Sequence, residues 1–364
     1  MRSLQAIRAC AALLIVMIHT QVTFSPTAGV AAFHGLFSGA GRSVDLFFVL
    51  SGFIITFIHA PDWGRPSRIK IYLFNRLSRI YPLVVIVTVV VAALIMAGFG
   101  GAYTAGQLNL LSFIQTALLL PQNYPLVEVT WTLKIEIAFY LGFALLIVKP
   151  KLGWIFLGVW QTAVVAIALF GKVDESLWYG IYLQPVCLDF CIGMIYALVF
   201  MRARKSTPLE PAILFTSLFV GTVAFTVGAA YDTYPMTSSS RLQDVLFFGT
   251  SSGLVLTSLV MLESAGRVHV ANWLVMLGDA SYAIYLVHFS IIGALSRLLL
   301  AATKLHRGQI NDLTCLAVAA ISVAVGVGFY YLVDLPIQRL VRKTKPWFIG
   351  STGRLAVPKL SKSG

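Results

Sequence analysis

The residues best equipped for chemistry begin with Arg8 and His19, both inside the first apolar stretch, LQAIRACAALLIVMIHTQVT, residues 4–23. They stand eleven positions apart. At about 100° per residue that is three turns plus roughly 20°, so both side chains share one helical face about 16 Å apart along the axis. A cation at one depth and an imidazole at another make a polar path into the membrane. Ionisable groups within a span face a bundle interior and mark a pathway or a site. The pair also fits a plainer reading, in which Arg8 snorkels to the headgroups and His19 hydrogen-bonds a neighbouring helix.

Four further stretches carry polar groups on apolar backgrounds. GRSVDLFFVLSGFII (41–55) places Arg42 and Asp45 three apart, on one face near the start of a helix. In an antiparallel hairpin with the first helix, Asp45 reaches His19, holds one ring nitrogen and leaves the other free as a base. The alternative is an Arg42–Asp45 pair that anchors the helix end. KIYLFNRLSRIYPLVV (70–85) puts Arg76 and Arg79 at i, i+3. Two guanidinium forks on one face suit a polyanion such as a phosphorylated ligand, and they also suit lipid headgroups. VTWTLKIEIAFYL (129–141) carries Trp131, Lys134 and Glu136. Lys134 points to another face than Glu136, so the carboxylate is expected to serve a polar cavity. In LGDASYAIYLVHF (277–289), Tyr282, Tyr285 and His288 form a stripe at i, i+3, i+6. His288 taken alone also fits a hydrogen-bonded packing residue.

The elements that must position these groups are membrane helices. The chain is 58% hydrophobic and 11% charged, with mean hydropathy +0.85, against about a quarter charged residues in a soluble domain. Ten stretches are long enough to span, at roughly 18–25 residues each: 4–23, 43–60, 80–98, 129–148, 153–171, 180–201, 212–230, 242–262, 280–302 and 313–333. A shorter piece, 108–120, reads as an interfacial or re-entrant helix. With both termini in the cytoplasm, nineteen Lys and Arg fall in inside segments and five in outside ones. That bias explains the +13 net charge without nucleic acid. Cys10, Cys187, Cys191 and Cys315 lie in apolar stretches and lack disulfide or metal-ligand spacing, so no metal is expected. Small residues at Ala28–Ala32 permit a cleavable signal peptide, but the late position of His19 favours a retained first helix. The expected organisation is an all-α integral membrane domain over 1–336 and a short basic cytoplasmic tail over 337–364. No internal repeat of the inverted-transporter kind is visible.

Six of these pieces, taken in order, carry a resemblance: LQAIRACAALLIVMIHT, GRSVDLFFVLSGFII, RLSRIYP, WTLKIEIAFY, LGDASYAIYLVH and YYLVDLP. Together the sequence resembles the acyltransferase-3 family of membrane acyltransferases, which includes enzymes that O-acetylate exopolysaccharides and lipopolysaccharides. The resemblance implies transfer of an acyl group, usually acetyl, from cytoplasmic acyl-CoA to a hydroxyl of a surface glycan or lipid-linked glycan on the outer side of a bacterial inner membrane. It implies that His19 is the essential first-helix histidine, Arg8 its partner, and Arg76 and Arg79 the paired arginines of the acyl-CoA side. The sequence departs from the pattern at Lys134 and Ile137, where many members carry small, polar or acidic residues.

The expected site therefore has His19 as base or acyl-accepting nucleophile, with Asp45 and Glu136 in its catalytic group. Arg8, Arg76 and Arg79 take the acetyl-CoA donor, and Arg42, Trp131, Tyr285 and His288 the acceptor. Membrane lipid, the glycan acceptor and polysaccharide-synthesis machinery are the expected partners. The rival expectation is a multi-pass transporter or flippase of a lipid-linked glycan, which has no use for a nucleotide site at Arg76 and Arg79.

Overall fold

The computed structural model describes residues 1–25, 32–99, 106, 108–122, 125–171, 179–204, 210–231, 241–303 and 310–349, and no strand occurs among them. The helices are α1 (Arg2–Phe24), α2 (Ser43–His59), α3 (Ile69–Leu94), α4 (Leu110–Ala117), α5 (Thr130–Val148) and α6 (Pro150–Phe170). They continue as α7 (Leu188–Ala203), α8 (Pro211–Tyr231), α9 (Leu242–Ser264), α10 (Asn272–Thr303), α11 (Asp312–Phe329) and α12 (Leu335–Ile349). Ten helical units among the described residues are long and apolar enough to cross a membrane, and the fold is all-α and integral to the membrane. The small residues at 28–31 and the basic residues Lys172, Lys205, Lys304, Arg307, Arg354, Lys359 and Lys362 lie outside the described residues.

Each expected span is present, with four shifted edges. Helix α3 starts at Ile69 rather than 80, so Arg76 and Arg79 sit on the helix itself. Helix α10 starts at Asn272. Residues 180–187 form tight turns broken by extended Gln184 before Pro185, and the sixth span proper begins at Leu188. The fourth is at the end, where Tyr330–Asp334 widens to i→i+5 pitch and runs into α12, so that residue 337 lies within a helix. Pro336, which has no N–H to give to the preceding turn, follows closely on this widened stretch. The piece at 108–120 contains the eight-residue helix α4, capped by Asn109 and Ser112, and it packs on α3.

Lipid tails are as apolar as leucine, so helices here associate through close packing and polar contacts rather than water exclusion. Helix α1 lies along α10, α2 along α7, α8 along α9 and α5 along α6. The main core stacks Phe48, Phe190 and Phe139, with successive ring centroids 4.5 Å apart. At the turn after α2, Asp62 accepts from His59 at 2.9 Å and from Arg68 at 3.0 Å.

Two glycines allow close approaches between these helices. A side chain at Gly52 would collide with the backbone of Phe190, and one at Gly278 with the backbone of Gln5. Gly278 therefore fixes the α1–α10 spacing that the site depends on. Gly278→Val is expected to lower stability by about 1–3 kcal/mol, the usual cost of overpacking, and to pull His19 away from α10. A thermal melt of the detergent-purified variant, run beside its activity, checks this. An unchanged melting temperature would mean that α1 and α10 do not meet at this glycine.

Candidate active site

Helices α1, α2, α3, α5 and α10 surround a largely apolar cavity with a few charged groups in its walls. Its charged groups are Arg8 from α1, Arg76 and Arg79 from α3, and Glu136 from α5. Three guanidinium groups face one carboxylate, so the cavity attracts anions. The Arg76 guanidinium lies over the Tyr140 ring, 5.9 Å from its centroid, and its Nε is buried with no hydrogen-bond partner among the described residues. An unpartnered guanidinium N–H at a cavity wall is a donor open to a ligand or to water. Arg8 donates from Nε to Ser281 Oγ on α10 at 3.1 Å. Asp334, in the wide turn before α12, lies close enough to Arg79 and Arg8 to act on their charge.

Glu136 is held by α2 and by its own helix. Its Oε1 accepts from Ser51 Oγ at 2.8 Å and from Tyr140 OH at 2.5 Å. Oε2 has no protein donor among the described residues, which leaves it to the cavity. Glu136 lies on the cavity wall. Tyr282, whose OH donates to Ile80 O at 2.9 Å, ties α10 to α3 beside Pro82, where the α3 ladder loses an N–H. Tyr285 lines the cavity too; its OH donates to Val129 O at 3.1 Å and lies 2.8 Å from Thr132 Oγ1.

His19 is not paired with Asp45. Its Nδ1 lies 2.8 Å from His288 Nε2, and His288 Nδ1 lies 2.6 Å from Tyr285 O and 3.2 Å from Ile284 O. The reason is packing: α1 runs along α10, whereas α2 runs along α7. Carbonyl oxygens only accept, so His288 carries its proton on Nδ1 and presents a bare Nε2. With both rings neutral, His19 must then donate from Nδ1, and its lone pair is on Nε2. His288 thus takes the place beside His19 that Asp45 was expected to take: it fixes the tautomer and leaves the lone pair of the other ring nitrogen unengaged. His288 is fully buried while His19 is partly accessible, with the Phe289 ring edge-on to it at 5.1 Å. The pair adjoins the cavity through Tyr285, whose ring centroid is 5.8 Å from that of His288.

Asp45 has a different neighbour. It is buried near Asp189 on α7, a second buried carboxyl group. Arg42 reaches Asp244 on α9 at 3.2 Å and covers the Phe248 ring. Arg42, Asp45, Asp189 and Asp244 form a second polar layer nearer the start of α2, apart from the cavity-lining groups. Trp131, expected at the acceptor, is half-buried against the main core, and the 100° step along α5 gives the cavity to Thr132 instead. Sequence reasoning passed over Asp189, Ser51 and Tyr140. Tyr140 was signalled by its i+4 spacing from Glu136, and Asp189 by being an acid inside an apolar span.

This arrangement has known counterparts in sequence. The model of the acyltransferase-3 family, described as an acyltransferase domain, matches residues 1–333. The chain belongs to this family of membrane acyltransferases. It is similar to the exopolysaccharide production protein ExoZ of Rhizobium meliloti, 27% identical over 328 residues that cover 88% of this chain and 96% of that one. It is also similar to the acyltransferase MdmB of Streptomyces mycarofaciens, 27% identical over 384 residues covering 94% and 93%. Staphylococcus aureus proteins provisionally named as O-acetyltransferases are 23% identical over 299 residues, 70% of this chain and 46% of theirs. No solved structure matches.

Proposed function

We propose that this chain is an O-acyltransferase that takes an acetyl group from acyl-CoA at the cytoplasmic face of a bacterial inner membrane and delivers it to a hydroxyl of a surface polysaccharide or lipid-linked glycan on the far side. The observation that carries the proposal is the coupling of two parts: an arginine-lined cavity with an orphaned Arg76 Nε, and a histidine whose free Nε2 is fixed by its neighbour, joined through Tyr285. The excess of Lys and Arg in one set of connections supports cytoplasmic termini, and with them a cytoplasmic end for Arg76 and Arg79. The name of ExoZ supports a polysaccharide acceptor, and the O-acetyltransferase names support acetyl as the group moved.

CoA is too polar to cross the bilayer, so its phosphates stay with Arg76 and Arg79 while the narrow pantetheine arm enters the cavity past Arg8. The thioester must then pass Tyr285, which packs on Phe47 with ring centroids 6.0 Å apart. His19 Nε2 takes the proton from the acceptor hydroxyl as its oxygen attacks the thioester carbon. The C–S bond breaks, the new ester C–O bond remains, and the CoA thiolate collects the proton to leave as the thiol. The substrate-facing groups of this reading are His19, Glu136, Arg8, Arg76, Arg79 and Tyr285; His288 positions His19.

The test is the acetyl-ester content of surface glycan in cells deleted for the gene and complemented with the wild-type chain. Acetyl esters that vanish on deletion and return on complementation are the expected result. Acetylation that never depends on the chain would overturn it and bring forward the transporter reading.

A further inference from the structure

A second concavity lies on the neighbouring face of α5, about 100° round from the cavity face. It is an open groove of about 1110 Å³ between α5 and α6, closed at one end by the turns around Leu119 and Tyr182. Its lower walls are Leu141, Phe156 and Val159, which are 55%, 42% and 66% exposed and so face the surroundings of the protein. Its closed end holds Trp160 and Tyr182, joined by a bond from Trp160 Nε1 to Tyr182 O at 2.6 Å, together with Lys134.

Lys134 is the unusual member. It is 1% exposed, and its ammonium gives one N–H to Gln122 O at 3.0 Å. Among the described residues it has no other hydrogen-bond partner and no carboxylate pairs with it. A cation so placed is costly unless something anionic completes its surroundings. The groove supplies the geometry for that anion. The Trp160 and Tyr182 rings line the same end of the groove as the cation, and an apolar channel runs from there down towards Leu141, about two turns along α5.

We propose that the groove holds a membrane lipid whose headgroup carries a phosphate, with the phosphate on the Lys134 ammonium beside Trp160 and Tyr182 and the hydrocarbon chain along Leu141, Phe156 and Val159. A neutral lipid leaves the cation unmatched, and a free phosphate leaves the apolar walls uncovered. The proposal stands apart from acyl transfer, because binding alone tests it.

The experiment is native mass spectrometry of the detergent-purified chain titrated with phosphatidylglycerol, with diacylglycerol of the same chains, and with inorganic phosphate. Phosphatidylglycerol is expected to bind the wild type more tightly than diacylglycerol does. Lys134→Gln should weaken phosphatidylglycerol by about tenfold, the loss of one charge-assisted hydrogen bond, and leave diacylglycerol unchanged. Ala138→Trp, which fills the groove and keeps the cation, should weaken both lipids. Undiminished phosphatidylglycerol binding in a folded Lys134→Gln protein would overturn the proposal, leaving Lys134 as a clamp on the Gln122 turn. Inorganic phosphate binding as tightly as the lipid would overturn it as well. If Lys134→Gln fails to fold, Ala138→Trp decides: unchanged phosphatidylglycerol binding in that variant rejects the site.

Discussion

His19→Ala is expected to cut acyl transfer by about 100- to 10,000-fold, the range that a positioned general base contributes, in protein that still inserts and melts like the wild type. The graded effects at His288 make the prediction specific. His288→Ala removes the acceptor of the His19 Nδ1 proton and frees the ring to turn and to change tautomer, so activity should fall by less than in His19→Ala but well below the wild type. His288→Gln offers an amide oxygen that can take the same proton, and it should recover part of the loss. In the double variant His19→Ala/His288→Ala the second change should add almost nothing, because residues that act as one unit are not additive. Initial rates with radiolabelled acetyl-CoA in proteoliposomes, with an acceptor glycan on the side away from the donor, give all four values. Should His19→Ala keep its rate within about twofold, a base role of the kind general acid–base catalysis requires is excluded. A His288→Gln protein no better than His288→Ala would break the tautomer argument while leaving His19 as the base.

The His19–His288 contact also shows where reading the sequence stops. Ten spans were legible because lipid demands about twenty apolar residues for each crossing, and the short helix at 110–117 was legible because it is too short to cross. Arg8 and Glu136 were legible because charge inside a span is costly, and Arg76 and Arg79 as two guanidinium forks at i, i+3; all four line one cavity. Partners were not legible. Asp45 was assigned to His19 on the assumption that successive helices are neighbours, but α1 lies along α10, which brings residues 269 positions apart into contact. That choice is made by small residues such as Gly278, whose only signal in the sequence is the absence of a side chain. Trp131 shows a finer point: the helical step between it and Thr132, invisible to a choice by residue type, decides which one lines the cavity. The polar stripe on α10 was visible, yet its members divide: Tyr282 and Tyr285 face the cavity, and His288 faces α1.

Removing the arginines at the cavity mouth is expected to act on donor affinity and spare the chemical step. Arg76→Ala and Arg79→Ala should each raise KM for acetyl-CoA by about 10- to 100-fold, which is what a lost charge-assisted hydrogen bond of about 1.5–3 kcal/mol amounts to, with kcat little changed because neither group is near His19. The two should differ under conservative change. Arg76 stacks on Tyr140 and has a buried Nε without a partner, so Arg76→Lys keeps the charge but loses the planar fork and should remain defective. Arg79 is exposed, so Arg79→Lys should be tolerated, and its contribution should shrink as salt is raised. Dephospho-CoA thioester, which lacks the 3′-phosphate, identifies the contact: a variant that has already lost the arginine holding that phosphate should show no further rise in KM with it. Inner-leaflet headgroup binding, the competing account of paired arginines, predicts the opposite pattern. There, membrane insertion or stability would suffer and KM for acetyl-CoA would stay at its wild-type value. A flippase predicts no dependence on CoA at all, so this one series separates the donor site from both rivals without any knowledge of the acceptor.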